Sequence, residues 1–314
     1  MKHNIKITII LLAMFIVTQF IGLYVVDYYT PKKVITPGTG IVVDVPAPPL
    51  PYGLETPEVE TESQYNSLFL GIIVAFIFAI LLFLLLTKFK IEFILKLWFF
   101  IVVVIALSVS FLSIFSKFVS YALVISSVLA FALAIFKIYG RNFFVHNITE
   151  LFIYPGIAAI FVPLLNVWTM VALLILISVY DAWAVWHSGI MQRMAKYQIN
   201  KLKIFSGFFV PYLDKKMRKK IQNWKKTLTK AQLRRKKIKV EIAILGGGDV
   251  VFPIITAGVM LKTLGFTSAL LVIIGATLGL TYLFFFSKKK KFYPAMPFIT
   301  AGILLGIAVS YLVI

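Results

Sequence analysis

Apolar positions in this chain gather into long unbroken runs instead of the alternations or helical stripes of a soluble protein. The runs cover about 5–26, 67–87, 93–115, 118–137, 147–165, 167–187, 241–261, 265–286 and 293–314. Each is near the ~20 residues that a helix needs to cross ~30 Å of hydrocarbon. The pattern therefore predicts an all-α polytopic membrane protein, with nine transmembrane helices in a single membrane domain over 1–314. The first run is expected to be a retained span, because it is longer than a signal-peptide core and no small-residue cleavage site follows it. Pro155 and Pro163 are expected to bend the fifth span, since each removes a backbone donor.

Two polar intervals interrupt the runs. Residues 27–66 are rich in proline and acidic residues (Asp44, Glu55, Glu58, Glu60, Glu62) and too poor in apolar content to build a core, so a mostly irregular outer loop is expected there. Residues 188–240 hold 17 Lys and Arg against the one acid Asp214. Within them Met217, Ile221, Trp224 and Leu228 form the stripe of an amphipathic helix, expected to lie on an anionic inner leaflet or to bind a partner. The short run 204–213 cannot span and is expected to be interfacial or re-entrant. The sequon Asn147-Ile148-Thr149 lies at an inner membrane edge and is not expected to carry a glycan.

Composition changes the picture in two ways. With 61% hydrophobic residues in 314, the net charge of +20 bears on membrane orientation and not on nucleic acid. With the N-terminus inside, the inner segments carry 28 of the 32 basic residues and the outer ones 4, which favours N-in and C-out. The chain has no cysteine, and its three histidines (His3, His146, His187) are scattered, so neither thiol chemistry nor a metal centre is expected.

Of twelve acidic residues, only Asp181 and Asp249 fall well inside predicted spans. A charged carboxylate there costs about 2.5 to 3.5 kcal/mol on insertion scales, so two of them call for a reason. Apposed, they would repel when both ionised and hold one proton between them, an acid and a base together. Such a pair can activate water against a peptide bond. The alternative is a cation channel or proton-coupled transporter using the same aspartates, although no inverted repeat is evident. Gly246, Gly247 and Gly248 precede Asp249, in what the apolar run makes a helix interior, where each costs up to about 1 kcal/mol relative to alanine. They would let another backbone come close, or serve only helix packing. Tyr293-Pro294-Ala295-Met296-Pro297 opens the last span, either as an ordinary helix start or as irregular backbone that needs protein or water to satisfy it.

Taken together, Tyr180-Asp181 in the sixth span, Gly246-Gly247-Gly248-Asp249 in the seventh and Pro294-Ala295-Met296 in the ninth resemble the YD, GxGD and PAL signatures of presenilins and signal peptide peptidases. Met296 stands where the family usually has leucine, a volume-conserving exchange. A compact, cysteine-free chain of this kind most resembles a microbial, archaeal-type presenilin homologue in a prokaryotic cell membrane. The resemblance implies a presenilin-like fold and intramembrane aspartyl proteolysis. Asp181 and Asp249 would be catalytic, while Tyr180, Gly246 to Gly248, Pro294, Ala295 and Met296 would shape the site and bind substrate. Neither a cofactor nor an accessory subunit is expected. A helical transmembrane substrate would have to unwind before cleavage, and could then pair as a strand with enzyme backbone near Pro294–Pro297.

Overall fold

The computed structural model describes residues 5–35, 42–57, 59, 61–89, 91–140, 142–188, 205–212, 241–287 and 293–313. Among them nine helices are long and apolar enough to cross a membrane. Helix α1 (Ile5–Tyr28) is followed by a hairpin of β1 (Lys32–Ile35) and β2 (Val42–Val45), paired antiparallel with Lys32 opposite Val45. The polar interval 27–66, expected to be mostly irregular, thus holds a hairpin, because the β-branched run Val42-Val43 and its counterpart Val34-Ile35 suit strands better than coil. Tyr52 and Tyr29 tie this region to the membrane body. Tyr52 Oη lies 2.7 Å from Ser108 Oγ, and Tyr29 Oη donates to the Val109 carbonyl at 3.0 Å.

Helices α2 (Glu62–Lys88), α3 (Glu92–Phe115), α4 (Ala122–Tyr139), α5 (Phe143–Phe161) and α6 (Val167–Trp183) come next. Side-chain caps start α2, α5 and α6, whereas α3 and α4 begin without one. Thr61 and Gln64 form a reciprocal capping box at α2, and Asn166 and Thr169 form one at α6. Helix α5 continues through Pro155 and ends where Pro163 enters a 3₁₀ turn, Val162–Leu164. Helix α6 runs on into a π-helical turn, Ala184–Ser188.

The largest departure from the apolar pattern lies after this turn. Residues Gly207–Tyr212 form β3, which pairs antiparallel with β4 (Glu241–Gly246), and α7 (Gly247–Leu264) starts only at the second glycine. Gly246 to Gly248 are therefore a strand-to-helix junction and not a helix interior, which removes most of the expected propensity cost. The strand alternates: Ala243 and Leu245 are buried, while Ile242 and Ile244 are exposed. The stretch Gly207–Tyr212, within the run expected to be interfacial or re-entrant, is this strand. The amphipathic stripe from Met217 to Leu228 lies outside the described residues.

Helices α8 (Phe266–Phe286) and α9 (Met296–Val313) complete the body. The core sits where α1, α5 and α7 meet, around Phe15, Tyr154 and Ile254, with α9 packed on α8 and α6. Helix α2 has no buried residue in its most apolar window and touches the body only lightly, as expected of a span whose sides face lipid.

Candidate active site

Asp181 sits in the last turn of α6 and is 7% exposed. Its Oδ2 accepts the Met296 amide at 3.0 Å, and its carboxylate also takes the Ala295 amide. The reason lies in the proline spacing. Pro294 and Pro297 have no N–H, and the helical ladder of α9 begins with Phe298 and Ile299 donating to the Ala295 carbonyl. Ala295 and Met296 are thus the free donors of this helix start, which carries a partial positive charge, and Asp181 satisfies both. Ser178, three residues earlier on α6, donates its hydroxyl to Thr300 Oγ1 at 2.7 Å and fastens the same two helices. The ring of Tyr180, the residue before Asp181, packs edge-on to Phe76 of α2, with centroids 6.5 Å apart.

Asp249 is the third residue of α7, and its carboxylate reaches back to the amide of Gly246, the N-cap residue. That is half of a capping box, so the local sequence already aims this side chain at the strand end. Pro253, four residues on, leaves the Asp249 carbonyl without its helical donor. From α1, the buried Gln19 donates Nε2 to the Val250 carbonyl at 3.1 Å and ties α1 to the same turn. The three glycines have unequal tasks. A methyl group on Gly247 would lie 2.8 Å from Ser206 Oγ and 2.9 Å from Tyr154 Oη, whereas one on Gly248 would meet nothing closer than Phe252 at 3.7 Å. The Asp181 and Asp249 carboxyls are near enough for the charge of the first to act on the second.

Below this pair lies a buried polar cluster that the apolar pattern did not single out. Lys137 of α4 and Glu150 of α5 form an ion pair of 2.5 Å, with side chains 1% and 0% exposed. His146 donates Nε2–H to the Gly207 carbonyl at 2.8 Å, since a carbonyl can only accept, so its Nδ1 faces Lys137 Nζ as acceptor at 3.3 Å. Asn147 is also engaged, with its side-chain amide bonded to the backbone of Phe209 in β3. The sequon asparagine is therefore part of the interior framework. Tyr154 lies one turn above Glu150, and its hydroxyl sits beside Ser206 and Gly247 and within the electrostatic reach of Asp249. The available signal was three ionisable residues, Lys137, His146 and Glu150, close to span ends. In a membrane such residues are costly unless paired.

Among the described residues, nine helices long and apolar enough to cross a membrane and two aspartates within them, one on a helix start and one on a strand-to-helix turn, define a polytopic membrane protein with carboxylates in its interior. A family model described as signal-peptide peptidase, presenilin aspartyl protease matches residues 41–314, and the chain belongs to that family. It is an intramembrane aspartyl protease. Its fold is similar to that of a presenilin family intramembrane aspartate protease crystallised in space group C222, with TM-score 0.60 and 17% identity over 98% of this chain and 99% of the other. The structure of such a protease in space group P2 aligns with TM-score 0.58 and 19% identity, covering 97% of each chain. No curated protein sequence matches.

Proposed function

We propose that Asp181 and Asp249 are the catalytic pair, sharing one proton and a water between them. The ionised carboxylate takes a proton from the water as its oxygen attacks the peptide carbonyl, and the protonated carboxyl gives its proton to the carbonyl oxygen. The resulting gem-diol collapses when the proton taken from water passes to the nitrogen and a diol hydroxyl returns one to the other carboxylate, breaking the C–N bond and leaving a carboxylic acid and an amine. The observation that carries this reading is the grip of the Ala295 and Met296 amides on Asp181 while its charge acts on Asp249. Pro294, Ala295 and Met296 thus fix one aspartate, while Gly246 to Gly248 give the other its turn and keep the space beside it open. Replacing either aspartate with asparagine tests the reading, with cleavage lost and the fold kept.

A substrate helix must expose a carbonyl before it can be cut, and an extended segment needs hydrogen-bond partners in the membrane. Pairing near Pro294–Pro297 is disfavoured, because Asp181 already occupies the Ala295 and Met296 amides. The edge of β4 away from β3, which has no backbone partner among the described residues, suits the role. Gly207, Phe209 and Pro211 turn their backbone groups away from β4, as Pro211 has no N–H to give and Phe209 is bonded to Asn147. Their partners Gly246, Ile244 and Ile242 must then turn theirs away from β3. No backbone hydrogen bond among the described residues reaches the outward groups of Ile242 and Ile244. Ile244→Pro keeps the β3–β4 ladder, since the lost N–H points outward, but removes an edge donor. Its kcat/KM on a reporter transmembrane peptide is expected to fall about tenfold to 100-fold; an unchanged value would remove strand addition at β4.

The charge distribution supports an N-in, C-out orientation, with the lysines and arginines of 188–240 suited in composition to anionic lipid, while the archaeal-type resemblance supports a prokaryotic cell membrane and activity without an accessory subunit. A reporter helix presented with its N-terminus outside is then expected to be cut several-fold faster than the same helix inverted in proteoliposomes. Preference for the inverted form would count against this orientation.

A further inference from the structure

A two-stranded sheet has two edges, and the one belonging to β3 is already taken. The side-chain amide of Asn147 accepts the Phe209 N–H at 3.1 Å and donates to the Phe209 carbonyl at 2.9 Å, the same two bonds that a neighbouring strand would make. Two residues earlier in the strand, Glu150 Oε1 accepts the Gly207 N–H at 3.4 Å and His146 donates to its carbonyl at 2.8 Å. One turn of α5 therefore serves Gly207 and Phe209 in the spacing of a β-strand. The ring of Phe209 adds a contact, with its centroid 4.6 Å from that of His146. Lys137 neutralises Glu150 from the adjacent helix, so the grip is buried, charge-balanced and fastened to two spans.

We infer that Asn147, with His146 and Glu150, is a surrogate strand whose hold on β3 positions the sheet and so selects which peptide bond of the substrate reaches the aspartates. This rests on the reading that substrate adds to the β4 edge. The physical chain is short. Phe209 is clamped by Asn147 and stands opposite Ile244, and Gly207 stands opposite Gly246, which precedes Asp249 by three residues. Any freedom of β3 along its own axis becomes freedom of the substrate register relative to Asp249. Because side chains alternate, a slip of β3 by one residue would expose Phe208, now fully buried, so slips of two are the permitted ones. Asn147 touches neither substrate nor the reacting atoms, and its role is positioning.

The test is the product distribution of one reporter transmembrane peptide, read by mass spectrometry with the full-length protein and its Asn147→Asp, Asn147→Leu and Asn147→Gln variants. Asn147→Asp is nearly isosteric and, assayed at a pH where its carboxylate is ionised, cannot donate to the Phe209 carbonyl, so it keeps the proposal testable even if Asn147→Leu fails to fold. Expected for Asn147→Asp are new products cut two residues from the main site and a KM raised about threefold to tenfold, more than kcat falls. Asn147→Gln, which keeps both donor and acceptor, is expected to restore the parent pattern. If Asn147→Asp cuts at the parent bond with the parent KM while Ile244→Pro impairs cleavage, the positioning role fails and strand addition stands. If Ile244→Pro is also silent, strand addition fails and takes this inference with it.

Discussion

Purified Asp181→Asn and Asp249→Asn variants are each expected to lose at least about 10⁴-fold in cleavage of a reporter transmembrane peptide, the scale seen when one member of a catalytic unit is removed. A carboxamide neither takes a proton from water nor returns one to the leaving nitrogen. It can still accept hydrogen bonds. The side-chain oxygen of asparagine at 181 can take the Met296 amide now held at 3.0 Å, and that of asparagine at 249 can take the Gly246 amide. Thermal unfolding in detergent should therefore stay close to the parent's, separating lost chemistry from lost structure. The double variant is expected to be no less active than either single one, because the two groups act as a unit. Retained cutting in either single variant would remove the pair.

The second large effect is expected at Gly302→Leu, less than two helical turns along α9 from the amide that holds Asp181. Helices α8 and α9 approach through glycines on both sides: a Cβ on Gly302 would run into the Gly275 carbonyl oxygen, and one on Gly275 into the Gly302 carbonyl oxygen. Four residues along each helix, Gly279 and Gly306 repeat the close approach, against the backbones of Phe298 and Leu271. Without a hydrophobic driving force between helices in lipid, such backbone packing is what holds them together. A leucine at 302 must push α9 off α8, and α9 carries the two amides that hold Asp181. A displacement of about 1 Å at a catalytic group can cost about 10²-fold, so kcat/KM is expected to fall by that order. Overpacking should also lower stability by about 1–3 kcal/mol. Leu305→Ala, on the same helix but at a side chain 68% exposed to the surroundings, is the matched control and should leave both near parent values. Parent-like activity in Gly302→Leu would show that the seat of Asp181 does not depend on α8–α9 packing.

Much of the membrane body was legible from the chain because bilayer insertion is a local, additive property: about twenty apolar residues suffice wherever they occur. The same holds for the two costly aspartates, which stand out against their neighbours, and for capping signals such as Asn166 with Thr169. Strand β4 was not legible in this way. Ile242 to Leu245 are as apolar as a span, and only their partner, beginning at Gly207, makes them a strand. The glycines before Asp249 looked costly for the same reason, since a helix interior was assumed where a junction exists. Lys137, Asn147 and Glu150 lay at span ends, where polar residues are ordinary, and nothing local told that their partners would be each other and the backbone of β3.

By itself, then, the order of residues determined which helices are long and apolar enough to cross a membrane, which two aspartates stand out within them and which family signatures surround those aspartates. Tertiary structure alone decided that Asp181 rests on the Met296 amide 115 residues away, that its charge reaches Asp249, and that α5 closes the β3 edge of a sheet whose other edge meets no backbone partner among the described residues. Hydrophobicity and capping act between neighbours in sequence, whereas hydrogen bonds to a helix start or a strand edge form between segments whose meeting depends on every helix packed between them.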